Sequence, residues 1–438
     1  MAREKKKIFS WVRLDNSAKI YPAARRRNWS NVFRESVTLR EEVDVSVLKK
    51  ALDVTVKRFP TIVARLRKGV FWYYLQEVEF PPAIRQEHSY PLAFMSGREM
   101  RSCALRVLVY HNRIAVEFFH SLTDGNGALV FLKSLTAEYL EQKHGITIPC
   151  EHGVLDRREP PTAEEVEDSN LKYAGPVPAS RRATTAWHVT GERRDDDFLH
   201  LTCFSLPVKE ILALAHEKGV TLTVLLSAVM MMALIGLQKE KVADVRKRKP
   251  IKVLIPVNLR QLFPSKSLRN FVLYTTPELD PRLGEYTLGE ILEIVRCKMG
   301  QEITPKFMGS LIATNVNDEK SPFVRLIPLP IKNLVMKAIF DSVGEKKSCL
   351  SLSNLGAVKL PENMKPYIER MDFILGVQAA APYNCGMLSY GDTVYLNFIR
   401  NIHEPALERH FHAVLRELGI PVTVESNQNG EEQRDVLY

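Results

Sequence analysis

FFHSLTDGNGALVFL, residues 118–132, is the stretch that decides how this chain is read. Ahead of it, Ala104 to Tyr110 and Arg113 to Phe119 alternate as two strands around a turn at His111 and Asn112. Behind it, the spacing predicts a helix from about Gly127 to Lys143, with Leu129, Leu132, Leu135 and Tyr139 on its buried side. Strand, short loop, helix places His120 at the rim of a sheet, where sites are often built. Imidazole suits a general base because its free pKa lies near neutrality. Two jobs are open to Asp124 in the pattern HxxxDG: it can orient the imidazole, or it can pair with a cation and stiffen the loop. Gly125 and Gly127 are expected to supply backbone angles that other residues resist.

Outward from this unit, the first element is a strand around Asn31 to Leu39. Asp44 then caps a helix that Pro60 ends, with Val45, Leu48, Ala51, Leu52, Val56 and Phe59 on one face. Ile62 to Leu66 and Val70 to Leu75 form a hairpin turned at Lys68 and Gly69. Glu151 to Asp197, rich in Pro and charge, reads as a crossover linker. Beyond it come a strand (Leu199 to Leu206), an amphipathic helix (Val208 to Lys218) and the apolar run Val220 to Leu237. That run is barely long enough to span a bilayer and carries Thr221, Thr223 and Ser227, so a helix buried in a large core is expected. A buried strand (Ile251 to Val257), a helix (Thr287 to Met299) and a largely helical, proline-interrupted segment (Phe307 to Phe340) follow. Strands at Cys349 to Leu352, Asp372 to Val377, Gly386 to Tyr390 and Thr393 to Ile399, a helix at Glu404 to Leu418 and a strand at Pro421 to Glu425 close the chain. Hairpin, loop and helix thus occur twice, at 104–143 and 386–418, with Arg400 or Asn401 where His120 would fall in the second. A structural duplication and a chance likeness of two common αβ units both account for this echo.

The composition bounds the function. The 438 residues carry a net charge of +10, which favours anionic partners: nucleic acid, a membrane surface or a phosphorylated cofactor. Much of the excess sits in Arg3 to Lys7, Arg25 to Arg27 and Arg246 to Lys249. No RNA-recognition signature, zinc-finger spacing or basic amphipathic helix accompanies these runs, so they read as solvated loops and termini, and no nucleic-acid partner is expected. The six cysteines are scattered without a CxxC pair, which argues against a zinc site or a disulfide framework; no metal is expected. The N-terminus has charges but no apolar stretch or cleavage site of a signal peptide, and a cytoplasmic setting is expected.

FFHSLTDGNGALVFL resembles the active-site segment of the coenzyme A-dependent acyltransferase superfamily, which includes chloramphenicol acetyltransferase, the plant BAHD enzymes, alcohol acetyltransferases and the condensation domains of nonribosomal peptide synthetases. LDNSAKIYPA, RFPTIVARLRKGVFWYY, IPVNLRQLFPSKSLRNF and SLSNLG, in that order, resemble the alcohol acetyltransferase-like branch. The resemblance implies an α/β (α+β) fold of two chloramphenicol acetyltransferase-like domains, each a mixed sheet flanked by helices, set in a V around a channel. The expected division is 1–165 for the first domain, 166–198 for a linker and 199–438 for the second. His120 would be the general base, taking a proton from an alcohol or amine acceptor that attacks an acyl-CoA thioester, with no acyl-enzyme and no permanently bound cofactor. Asp124 would pair with Arg260 as structural support, beside Gly125. Ser353, Asn354 and Asn258 are the candidates for substrate or oxyanion contacts, the alternative for each being a polar turn. Phe119 stands where condensation domains carry a second histidine, and the DFGWG segment of BAHD enzymes is missing, so neither branch lends its acceptor. The rival readings are a carrier-protein-dependent acyltransferase or stand-alone condensation enzyme, with an acyl carrier protein as partner, and a non-catalytic binding protein of the same fold.

Overall fold

The computed structural model describes residues 11–25, 31–78, 80–177, 185–193, 198–320, 325–339, 348–378 and 381–428. The Arg3 to Lys7 run, Arg26, Arg27, Asp197 and Phe340 lie outside them. In chain order the strands are β1 Trp11–Arg13, β2 Val32–Leu39, β3 Ala64–Lys68, β4 Tyr73–Glu77, β5 Ile84–Gln86, β6 Leu105–Tyr110, β7 Arg113–Phe119, β8 His200–Pro207, β9 Ile251–Asn258, β10 Val272–Thr275, β11 Glu278–Leu279, β12 Leu350–Ala357, β13 Ile368–Ile374, β14 Tyr383–Tyr390, β15 Thr393–Arg400 and β16 Thr423–Ser426. The helices are α1 Ile20–Ala24, α2 Val45–Thr55, α3 Gly97–Ser102, α4 Gly125–His144, α5 Ala163–Val166, α6 Ser169–Lys172, α7 Val208–Glu217, α8 Leu222–Lys241, α9 Leu288–Glu302, α10 Pro305–Lys320, α11 Leu329–Ile339 and α12 Ala406–Glu417.

Two mixed sheets dominate. The first runs β13-β2-β7-β6-β5; the second runs β10-β9-β12-β14-β15-β8-β16, with β11 on β9. A small sheet, β1-β4-β3, stands apart. The alternation of β2 and β7 sends Phe33 and Phe118 onto one face, where their rings stack 5.3 Å apart and Phe131 of α4 meets Phe118 edge-on. Asp44 caps α2 as expected, accepting from Ser46 N and Val47 N. In the second core α8 is surrounded: Val224 to Met231 are all buried, so its apolar run is core and the helix lies within the fold.

The expected split at 199 does not divide the sheets. β13 crosses back and pairs antiparallel with β2 in the first sheet, from Ile368 opposite Leu39 to Ile374 opposite Arg34. Gly386 permits the crossing: a Cβ there would lie 2.4 Å from Phe373 O. Nor is 151–197 a free tether. Glu165 holds the buried Arg58 guanidinium through both oxygens at 2.6 Å, and Trp187 N donates to Pro250 O in the second core at 2.9 Å.

The sequence echo has a structural counterpart. β6, β7 and α4 form a hairpin, loop and helix, as do β14, β15 and α12. In the second copy the strand ends on Arg400, wholly buried, which donates to Glu408 and Gln428, each at 2.7 Å. A closed ion pair fills the place that His120 opens in the first copy.

Candidate active site

His120 follows directly on β7, its N–H donating to Asn31 O at 2.9 Å. The loop after it is held largely by the opposite half of the chain. Thr123 Oγ1 donates to Leu268 O at 2.6 Å. Asp124, buried, accepts through Oδ2 from Arg260 Nη1 at 2.8 Å and from Phe271 N at 2.8 Å. Through Oδ1 it accepts from Gly127 N at 3.0 Å, so the same carboxylate caps α4. Of the two jobs open to Asp124, the geometry selects the pairing with a cation. Arg260 also donates to Ser267 O, Arg269 O and Asn258 Oδ1, so one guanidinium stitches the 267–271 loop to the base of α4.

The glycines of the motif are required for a reason other than the expected one. Neither Gly125 nor Gly127 has a positive φ. A Cβ on Gly127 would stand 2.4 Å from Leu268 O and 2.2 Å from Thr123 Oγ1, so the small residue makes room for the loop from the other half. A Cβ on Gly125 would meet the Leu355 side chain at 2.7 Å, a softer obstacle.

Asn270 settles the state of the imidazole. Its Nδ2 donates to His120 O at 3.0 Å and points at Asp15 Oδ2 at 3.4 Å, both acceptors, which fixes the carboxamide orientation. Oδ1 therefore faces His120 Nδ1 at 3.1 Å and accepts its hydrogen. The neutral ring carries its proton on Nδ1 and keeps the lone pair on Nε2. Tyr21 stacks on the ring at 4.3 Å between centroids, and Phe33 lies tilted against it at 4.9 Å. Burial pushes the His120 pKa below its ordinary value, against the opposing pull of Asp124 and the Asn270 hydrogen bond. Burial also pushes the Asp15 carboxyl up to about 6, although Arg269 draws it down.

His120 lines a cavity of about 1230 Å³ between the two large sheets. Phe33 and Phe373 bound it from the first sheet; Leu254, Pro256 and Ser353 bound it from the second. SLSNLG does not end a strand at Leu352: β12 continues through a register shift between Asn354 and Ala357, a bulge that re-aims these side chains beside the cavity. Asn354, on the cavity wall, donates to Thr223 Oγ1 of α8 at 2.9 Å and accepts from Gly356 N of the bulge at 2.7 Å. Asn258 accepts through Oδ1 from Arg260 N and Nη1, each at 3.2 Å. Its carboxamide oxygen thus supports Arg260, and the residue also lines the cavity. Ser353, almost fully buried, brings a hydroxyl to the cavity wall.

No protein-family model matches the sequence, and no curated protein matches it. Solved structures do. Fusarium sporotrichioides TRI101, complexed with coenzyme A and T-2, aligns with TM-score 0.61 and 12% identity over 94% of this chain and 99% of that one. The TRI3 trichothecene 15-O-acetyltransferase of the same organism gives 0.60 and 12%, over 92% and 94%. The first condensation domain of the CDA synthetase gives 0.55 and 13%, over 92% and 95%. The chain has the fold these proteins share. That is the two-domain acyltransferase-like architecture the sequence resemblance implied, with the cavity at its centre.

Asn270, Tyr21 and Asp15 were missed as site residues. Each lies in a segment singled out by sequence, LRNF or LDNSAKIYPA. Asn270 and Tyr21 contact His120, and Asp15 contacts Asn270, across about a hundred residues or more of chain, which no local spacing encodes.

Proposed function

We propose that this chain transfers an acyl group from a coenzyme A thioester to an alcohol or amine acceptor, with His120 as general base. The observation that carries the reading is the imidazole held by Asn270 at Nδ1, neutral by burial, on the wall of a cavity between the two sheets. Nε2 takes the acceptor's proton as its oxygen or nitrogen attacks the thioester carbonyl. The tetrahedral intermediate collapses, the C–S bond breaks, and the imidazolium returns the proton to the departing thiolate. Ser353 is the donor proposed for the transient oxyanion. No residue is acylated on this path. The likeness to an acetyltransferase and to a coenzyme A complex supports the donor class.

The test supplies the purified chain with several acyl-CoAs and a library of alcohols and amines, and follows free thiol. Acceptor-dependent release is expected, and His120→Ala should lower it by about two to four orders of magnitude while the protein stays folded. Release that persists in folded His120→Ala removes the histidine from the mechanism. Release only from an acylated carrier protein assigns the chain to the carrier-dependent reading instead.

A further inference from the structure

Helix α11 is turned inside out. Beside Leu329, which enters the first core, its inward contacts include polar ones: the buried Lys332 donates from Nζ to Phe71 O at 3.0 Å and sits 3.3 Å from the Trp72 ring centroid. Asn333 Nδ2 donates to Tyr73 Oη at 2.9 Å. Its outward side carries Ile331, Leu334, Val335 and Ala338, the i, i+3, i+4, i+7 stripe that a surface helix normally gives to the core. Here Ile331 is 55% exposed and Leu334 70%. The β3–β4 turn adjoins the start of the helix: Leu329 N donates to Val70 O at 3.0 Å, and Val70 is 72% exposed. Single exposed apolar side chains are ordinary; a continuous stripe marks a surface that something covers.

The exposed charges of these two segments are of one sign. Residues 66–75 and 325–339 contain no Asp or Glu, while Lys68, Arg325 and Lys337 are exposed. A second copy of this chain would bring like charges together across the contact. An anionic surface would not. The patch also adjoins the cavity: Trp72, Ile327, Val335 and Met336 line it on this side.

We propose that α11 and the β3–β4 turn dock on an anionic lipid surface, with the apolar stripe at the boundary of headgroups and acyl chains and the basic rim against the headgroups. The cavity then opens towards lipid, and an apolar substrate reaches His120 without crossing water. Docking is measured without turnover, so it stands or falls apart from the acyl-transfer reading. The experiment co-sediments the full chain with vesicles of phosphatidylcholine alone and of phosphatidylcholine mixed with phosphatidylserine. Binding is expected to the mixed vesicles, weakened by salt. Ile331→Gln with Leu334→Gln, at exposed positions and with unchanged thermal unfolding, should weaken it by about tenfold or more. Arg325→Glu with Lys337→Glu should weaken it by at least about fivefold per site. No binding of the wild type, equal binding to both vesicle types, or undiminished binding of the glutamine variant overturns the proposal. A concentration-dependent dimer that the glutamine variant abolishes, without vesicle binding, assigns the stripe to a second copy.

Discussion

The Asp124–Arg260 pair gives a prediction whose magnitude follows from its geometry. Asp124 satisfies three donors: the guanidinium at 2.8 Å, Phe271 N at 2.8 Å and Gly127 N at 3.0 Å. Asp124→Ala leaves a guanidinium whose side chain is only 9% exposed without its counter-charge, a loss of about 3–5 kcal/mol. It also strands two buried N–H groups at about 1–3 kcal/mol each, partly relieved by water entering the gap. The total is about 5 kcal/mol or more, a large part of the roughly 5–15 kcal/mol that holds a domain folded. Arg260→Ala leaves the carboxylate its two backbone donors, so its loss should be smaller, about 3 kcal/mol. The double variant should be less damaged than the sum, with a coupling of about 2–3 kcal/mol. Denaturant unfolding of the four proteins measures this, with turnover measured alongside; Asp124→Asn, which keeps one acceptor, serves if Asp124→Ala does not fold. Strictly additive losses, or Arg260→Ala costing more than Asp124→Ala, would refute the account. Lost turnover in Asp124→Asn at unchanged stability would show that the carboxylate acts on the histidine directly.

Other expectations follow from the same loop. Burial holds His120 below its ordinary value of 6.5, so the ring is neutral at pH 7 and activity declines only as pH falls through that lowered value. Asn270 works the other way, raising the pKa by accepting the Nδ1 hydrogen; Asn270→Ala should move the acid limb of kcat/KM to lower pH and reduce kcat by about tenfold to a hundredfold. A fall in kcat with an unmoved limb would leave Asn270 with a merely structural part. Gly127→Ala should destabilise by about 1–3 kcal/mol and lower turnover, because its Cβ meets backbone at Leu268; Gly125→Ala, against a leucine side chain, should cost less. Equal stabilities of the two variants by thermal unfolding would contradict this.

Local pattern carried most of the elements. Period-2 alternation in 104–119, the Asp44 cap and the 3.6-residue repeat of α4 are written in neighbouring side chains, and each element lies within a few residues of its expectation. The HxxxDG pattern marked His120, and the ordered segments around it implied both the fold and the Asp124–Arg260 pair. What sequence could not supply lies across long loops. Which strand β13 joins depends on Gly386 letting two sheets touch, and the tautomer of His120 depends on Asn270, brought back by 150 residues of intervening chain. The partners of Asn258 and Asn354 are likewise invisible until their neighbours are placed: the oxygen of one receives Arg260, and the carboxamide of the other bridges α8 and the bulge. The apolar stripe of α11 is plain in the letters as an amphipathic helix, but letters give the period and not the direction. Only the packing of Lys332 on Trp72 decides that the stripe faces out.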